Sequence, residues 1–75
     1  MGEKKLGKYI HYKGNLYEII AFGKHSENLE DMVIYKALYE SEEFGKDMIW
    51  IRPEKNFFEM VEINGIKKAR FTFLE

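Results

Sequence analysis

Apolar side chains recur at every second position along most of this chain, and tyrosine, isoleucine, valine and phenylalanine fill those positions. That period puts alternate side chains on opposite faces of an extended strand, and branched and aromatic residues suit a half-buried pleated surface. Residues 9–12, 16–22, 32–39 and 47–52 read as strands on this ground. Lys13, Gly14 and Asn15 make the turn between the first two, since glycine and asparagine tolerate positive φ. In the third, Val33, Tyr35, Ala37 and Tyr39 share one face and Met32, Ile34, Lys36 and Leu38 the other. Only one charge interrupts it, so it is expected inside the sheet or wrapped into a barrel.

Polar stretches and special residues punctuate these strands. Gly23 is expected to bulge or bend the second strand before a solvated loop over 25–31, with Leu29 pinning that loop to the core. The acidic stretch 40–46 reads as an exposed loop. Pro53 stops the fourth strand and suits the first position of a helical turn, expected over 54–58. Of the two phenylalanines there, one should plug the end of the core; an exposed second one would hint at a dimer. Asn64-Gly65 is the strongest hairpin signal, because a type I′ turn needs positive φ at both central residues. A two-residue turn there sets Ile63 against Ile66, Glu62 against Lys67 and Glu59 against Arg70, so both charge pairs are opposite in sign. Phe71 and Phe73 then fall on the other face, which requires a bulge near Lys68-Ala69 or a change of sheet. Together these elements predict an all-β fold: a small SH3-like barrel of five to six short antiparallel strands with one helical turn after Pro53. An OB-fold generally needs a longer chain and a fuller helix.

Length and composition narrow the picture. A chain of 75 residues encloses one small core, and a chain this short buries only about 60% of its unfolded surface. The whole of 1–75 is therefore expected to be one domain, its core over about 9–73, with Leu74-Glu75 resembling the remnant of a purification tag. Twelve aromatic residues supply bulk without length. Cysteine is absent, which excludes disulfides, thiolate metal sites and a cysteine nucleophile and suits a reducing cytoplasm. The opening MGEKKLGKY lacks the apolar run of a signal peptide, and no stretch approaches the roughly 20 residues needed to span a bilayer. The chain is expected to be cytoplasmic, as a monomer or weak dimer. A net charge of −1 with both signs dispersed disfavours nucleic acid, leaving only Lys67, Lys68 and Arg70 as a local basic patch for RNA.

Several short motifs, in order, carry a resemblance. H-Y-K-G-x-x-Y over 11–17, H-S-E over 25–27, V-x-Y-x-A-L-Y over 33–39, W-x-R-P over 50–53 and R-F over 70–71 resemble the short bacterial family catalogued as domain of unknown function 1653. The likeness runs over about 9–71. The chain departs from the family pattern in the 40–47 loop, which is longer than usual, and at Ala69, where a proline is expected. The resemblance implies a compact barrel-like β fold and brings no established activity.

Candidate chemistry is sparse. His25, Ser26 and Glu27 supply a base, a nucleophile and an acid, but neighbours on an extended chain point apart, and a triad must converge through space. His11 would have to join them across about 25 Å of strand. A metal held by His11, His25 and Glu27 meets the same distance and lacks a ligand spacing, so neither a metal nor a cofactor is expected. Tyr12, Tyr17, Tyr35, Tyr39, Trp50 and Arg52 make a better surface, since aromatic residues and arginine dominate binding hot spots and Arg52 could take a carboxylate bidentately. The alternative is that these rings are core and Arg52 pairs with Glu54. The residues thus favour a binding module for a peptide or small ligand through His11, Tyr12, His25, Ser26, Glu27, Trp50 and Arg52, with a small enzyme using His25 and Glu27 as the runner-up.

Overall fold

The computed structural model describes residues 5–74. Residues 1–4, part of the stretch read for a leader, and residue 75, half of the supposed tag remnant, lie outside them. Nine strands and one helical turn occur among the described residues, in the order β1 Gly7–His11, β2 Leu16–Lys24, β3 Asp31–Ala37, β4 Glu40–Ser41, β5 Gly45–Lys46, β6 Ile49–Pro53, α1 Glu54–Phe57, β7 Met60–Ile63, β8 Ile66–Ala69 and β9 Phe71–Phe73. A five-stranded antiparallel sheet runs β6-β3-β2-β1-β9, and β4-β5 and β7-β8 are separate hairpins. The fold is mostly β, as the alternation predicts. As expected for a strand with two apolar faces, β3 lies inside the sheet, between β2 and β6.

Register decides which residues turn inward. Tyr9 lies opposite Tyr17, Tyr17 opposite Ala37, Ile19 opposite Tyr35, and Tyr35 opposite Trp50, so these side chains share one face. The irregularity in β2 falls between Ile19 and Ala21, at Ile20, and not at the expected Gly23, which pairs regularly with Met32. Its consequence is local rotation: past Ile20, Phe22 takes the inward position opposite Val33 in place of Ala21. Ile20 itself stays exposed.

The inward face is covered by α1. Pro53 ends β6 at φ −56 and opens the helical turn, and Phe57 drops into the middle of the sheet, fully buried at 0% exposure. Its ring stacks on Phe71 with centroids 3.9 Å apart and meets Tyr35 and Tyr9 edge-on at 5.2 and 5.5 Å. Phe57 is the expected plug. Phe58 is half-buried, edge-on to Tyr9 at 6.4 Å. With Ile19 and Val33 these rings complete the core.

The sheet curls, but no closed barrel forms, so the SH3-like barrel expectation is not met. Tyr35 on β3 and Phe71 on β9 stand three strand spacings apart, roughly 14 Å in a flat sheet, yet their ring centroids are 5.7 Å apart. No ladder joins β6 to β9. Side chains span the gap between those edges in place of backbone pairing.

The Asn64-Gly65 hairpin has the expected register, with Ile63 opposite Ile66 and Glu62 opposite Lys67, and φ of 51° and 80° at the turn. Arg70 resolves the parity of Phe71: its N–H donates to the Glu59 carbonyl at 3.1 Å, and its own carbonyl accepts from the Tyr12 N–H at 3.0 Å. The chain leaves the hairpin and enters the large sheet across that one residue. The expected 40–46 loop contains a short hairpin, and Leu29, at 69% exposure and φ 61°, does not pin the 25–31 loop. The Leu74 N–H donates to the Lys8 carbonyl at 2.8 Å, extending the β9 contact with β1.

Phe57→Ala is expected to lower stability by about 3–5 kcal/mol, because it empties the site where three strands converge. A chain of this length has roughly 4–11 kcal/mol in all. Urea unfolding followed by near-ultraviolet circular dichroism checks it, and an unchanged midpoint would refute the central role given to this ring.

Candidate functional site

The inward face is fully covered in its middle and open at one end, where β1 finishes, β9 begins and β6 supplies its arginine. Arg52 lies opposite Val33, on the same side as Trp50, and the curl of the sheet brings its side chain to this end. The Arg52 guanidinium carbon sits 5.7 Å from the Phe71 ring centroid, at the far edge of the sheet. Four strand spacings separate those residues, about 19 Å in a flat sheet. A half-buried Arg52 therefore lies across the mouth of the curl, and its guanidinium makes no hydrogen bond or ion pair among the described residues. The expected pairing with Glu54 is not made.

His11 faces the same opening. It ends β1 opposite Phe71, meets that ring edge-on at 4.9 Å and lies against Tyr12 at 4.4 Å. Its Nδ1 accepts a hydrogen bond from the Lys13 N–H at 3.1 Å, which places the proton of the neutral ring on Nε2. Burial, then the charges of Arg52, Arg70 and Lys13, hold its pKa below the usual histidine value. A positive local field thus exists within a chain whose net charge is −1. Beside it, the hydroxyls of Tyr17 and Tyr39 are 2.7 Å apart, and burial together with this contact pushes the Tyr17 hydroxyl well above its ordinary pKa.

The aromatic set divides. Tyr9 and Tyr35 are core, whereas Tyr12, Tyr17, Tyr39 and Trp50 are half-buried with part of each in solvent. Trp50 packs against the core on one side and meets Phe44 edge-on at 5.1 Å.

The second group of candidates lies elsewhere. His25, Ser26 and Glu27 are exposed at the opposite end of β2 from His11. There the loop is closed upon itself: the Glu27 N–H donates to His25 Nδ1 at 3.1 Å, the Leu29 N–H to the His25 carbonyl at 2.7 Å and the His25 N–H to the Glu30 carbonyl at 2.8 Å. The seven candidate residues therefore separate: His11, Tyr12 and Arg52 share the mouth, Trp50 lies two residues before Arg52 and against Phe44, and His25, Ser26 and Glu27 stand apart. No three histidine, aspartate or glutamate side chains gather as a metal set among the described residues. In the basic patch, Lys67 faces Glu62, and Arg70 binds Glu59 Oε1 at 3.1 Å and the Asn56 carbonyl at 3.1 Å, so its charges are already partnered in part. Sequence reasoning missed Phe71 as the ring beneath Arg52. The R-F pair of the motif set was the available signal.

With this geometry in view, comparison with known proteins is direct. Residues 7–73 match the family described as protein of unknown function DUF1653, and the chain belongs to that family. A solved crystal structure of a family member from Bordetella bronchiseptica superposes with a TM-score of 0.84 at 26% sequence identity, covering 96% of this chain and 88% of that one. No curated protein matches the chain. No helix among the described residues is long and apolar enough to cross a membrane.

The histidine environment has a pH consequence. With the folded pKa of His11 below the unfolded value near 6.5, the unfolded chain binds the extra proton first, so stability is full above about 6.5 and falls as pH drops through that value toward the folded pKa. Nuclear magnetic resonance titration of the His11 ring is expected to give a midpoint below 6.5 that rises in Arg52→Gln. A midpoint at or above the unfolded value would contradict the burial and charge described.

Proposed function

We propose that this domain is a binding module whose mouth takes a carboxylate-bearing small molecule or peptide end, with Arg52 as the anion receptor. The observation that carries the reading is the guanidinium laid over Phe71 between the two edges of the sheet, with no hydrogen bond or ion pair among the described residues. Arginine offers a planar fork of donors matched to a carboxylate, and stacking on an aromatic ring preorganises that fork. The Nε2–H of neutral His11 supplies a further donor, the field of Lys13 and Arg70 draws an anion inward, and Tyr12 offers a flat apolar flank. A half-closed curl, the open counterpart of an SH3-like barrel, leaves this end accessible. Binding is favoured over catalysis because the nearby groups are donors and rings, and the His25 loop spends its histidine on its own backbone.

Amide and side-chain shift mapping against a panel of short peptides and metabolites tests this. Ligands with a free carboxylate are expected to perturb the Arg52 Nε–H and the His11 and Tyr12 rings, whereas their amides bind about tenfold or more weakly. Arg52→Gln should abolish the difference between acid and amide, and Arg52→Lys should restore little of it. Equal binding of acid and amide to the native protein would remove the proposal.

A further inference from the structure

A second opening lies under the β4-β5 hairpin, beside Trp50, and its chemistry is opposite in sign. We infer that it is a receptor for a methylated ammonium group, carried by a small quaternary amine of the choline type. The cavity measures about 170 Å³, and Tyr39, Ser41, Glu43, Phe44, Met48 and Trp50 line it. An apolar cavity of about 150 Å³ holds a benzene-sized guest, so this one fits a trimethylammonium head.

Three aromatic rings and a thioether make its walls, and the rings do not lie parallel. Phe44 stands at 83° to Trp50, so two of the walls meet nearly at right angles. Ring faces carry the negative part of the aromatic quadrupole and attract a cation that several of them surround. A methylated ammonium has no N–H to satisfy on nitrogen, and such a pocket offers few acceptors beyond Ser41 and Glu43. The best match is therefore a cation with an apolar skin.

The hairpin supplies the charge. Residues 40–47 hold Glu40, Glu42, Glu43 and Asp47 against Lys46 alone, and none of the four acids makes an ion pair among the described residues. Structure explains why Phe44 sits where it does. Its N–H donates to Ser41 Oγ at 2.9 Å, fixing the hairpin tip, and the ring stays 46% exposed at the rim while meeting Trp50. A large apolar side chain held in solvent at the lip of a cavity that Glu43 also lines is a poor contribution to folding and a good wall for a cationic guest. This site is independent of the Arg52 reading, since it uses neither Arg52 nor His11.

Trp50 is the only tryptophan, so its fluorescence reports the site directly. Titration at constant ionic strength with choline and with tetramethylammonium is expected to give a saturable change, and the neutral isostere 3,3-dimethylbutan-1-ol to bind about tenfold more weakly. Phe44→Ala and Glu43→Gln should each weaken choline by several-fold without altering thermal unfolding, Phe44→Tyr should retain it, and Arg52→Gln should leave it unchanged. No saturable response to choline, or equal binding of the neutral isostere, overturns the inference. A trimethyllysine peptide that binds tenfold more tightly than choline would also overturn it, by assigning the cation to a protein side chain.

Discussion

One aromatic contact governs this fold. Phe57 must be buried on the inward face of a sheet only five strands wide, and it touches rings from strands that a flat sheet would hold far apart. The sheet can satisfy all of them only by curling, and the bulge at Ile20 lets β2 follow by adding twist and by turning Phe22 inward. In so short a chain one helical turn covers that face, so the rings themselves are the core. The stacked Phe57-Phe71 pair then connects the helical turn to the last strand.

The same curl creates the mouth. Because β6 and β9 approach without hydrogen-bonding, the gap between them is filled by what the edges carry, and Arg52 over Phe71 is what reaches across. A closed ladder would have left no room for a guanidinium there. The two openings consequently have opposite electrostatics, with Arg52, His11, Lys13 and Arg70 around one and Glu43 of the β4-β5 hairpin lining the other. In a chain of net charge −1 this separation is invisible in the total. It arises because β6 presents Trp50 and Arg52 on one side, two residues apart, with different loops at their ends.

Local rules account for the elements they should. Period-two alternation located the four long strands to within a few residues, since a half-buried strand imposes that period directly. Asn64-Gly65 specified both turn and register because only one backbone geometry suits it. Pro53 marked where β6 gives way to α1. Less legible was Ile20, whose bulge depends on how β3 lies beside it, whereas Gly23, the residue with the freer backbone, pairs regularly. Leu29 misled for a related reason: an apolar residue in a loop is buried only if something stands over it, and nothing does. At the site, Trp50 and Arg52 were readable as a pair, but the partition of His11 from His25 was only a distance along one strand until the sheet oriented its ends.

By itself, then, the order of residues determined the strands, the hairpin at Asn64, the helical stop at Pro53 and the aromatic character of the core, since each follows from forces acting between near neighbours. Only the tertiary structure decided that the sheet stops short of closure, that Arg52 lies over Phe71, and that Phe44 walls a cavity against Trp50. Those outcomes depend on side chains from distant parts of the chain competing for one small volume. No local pattern encodes the result of that competition.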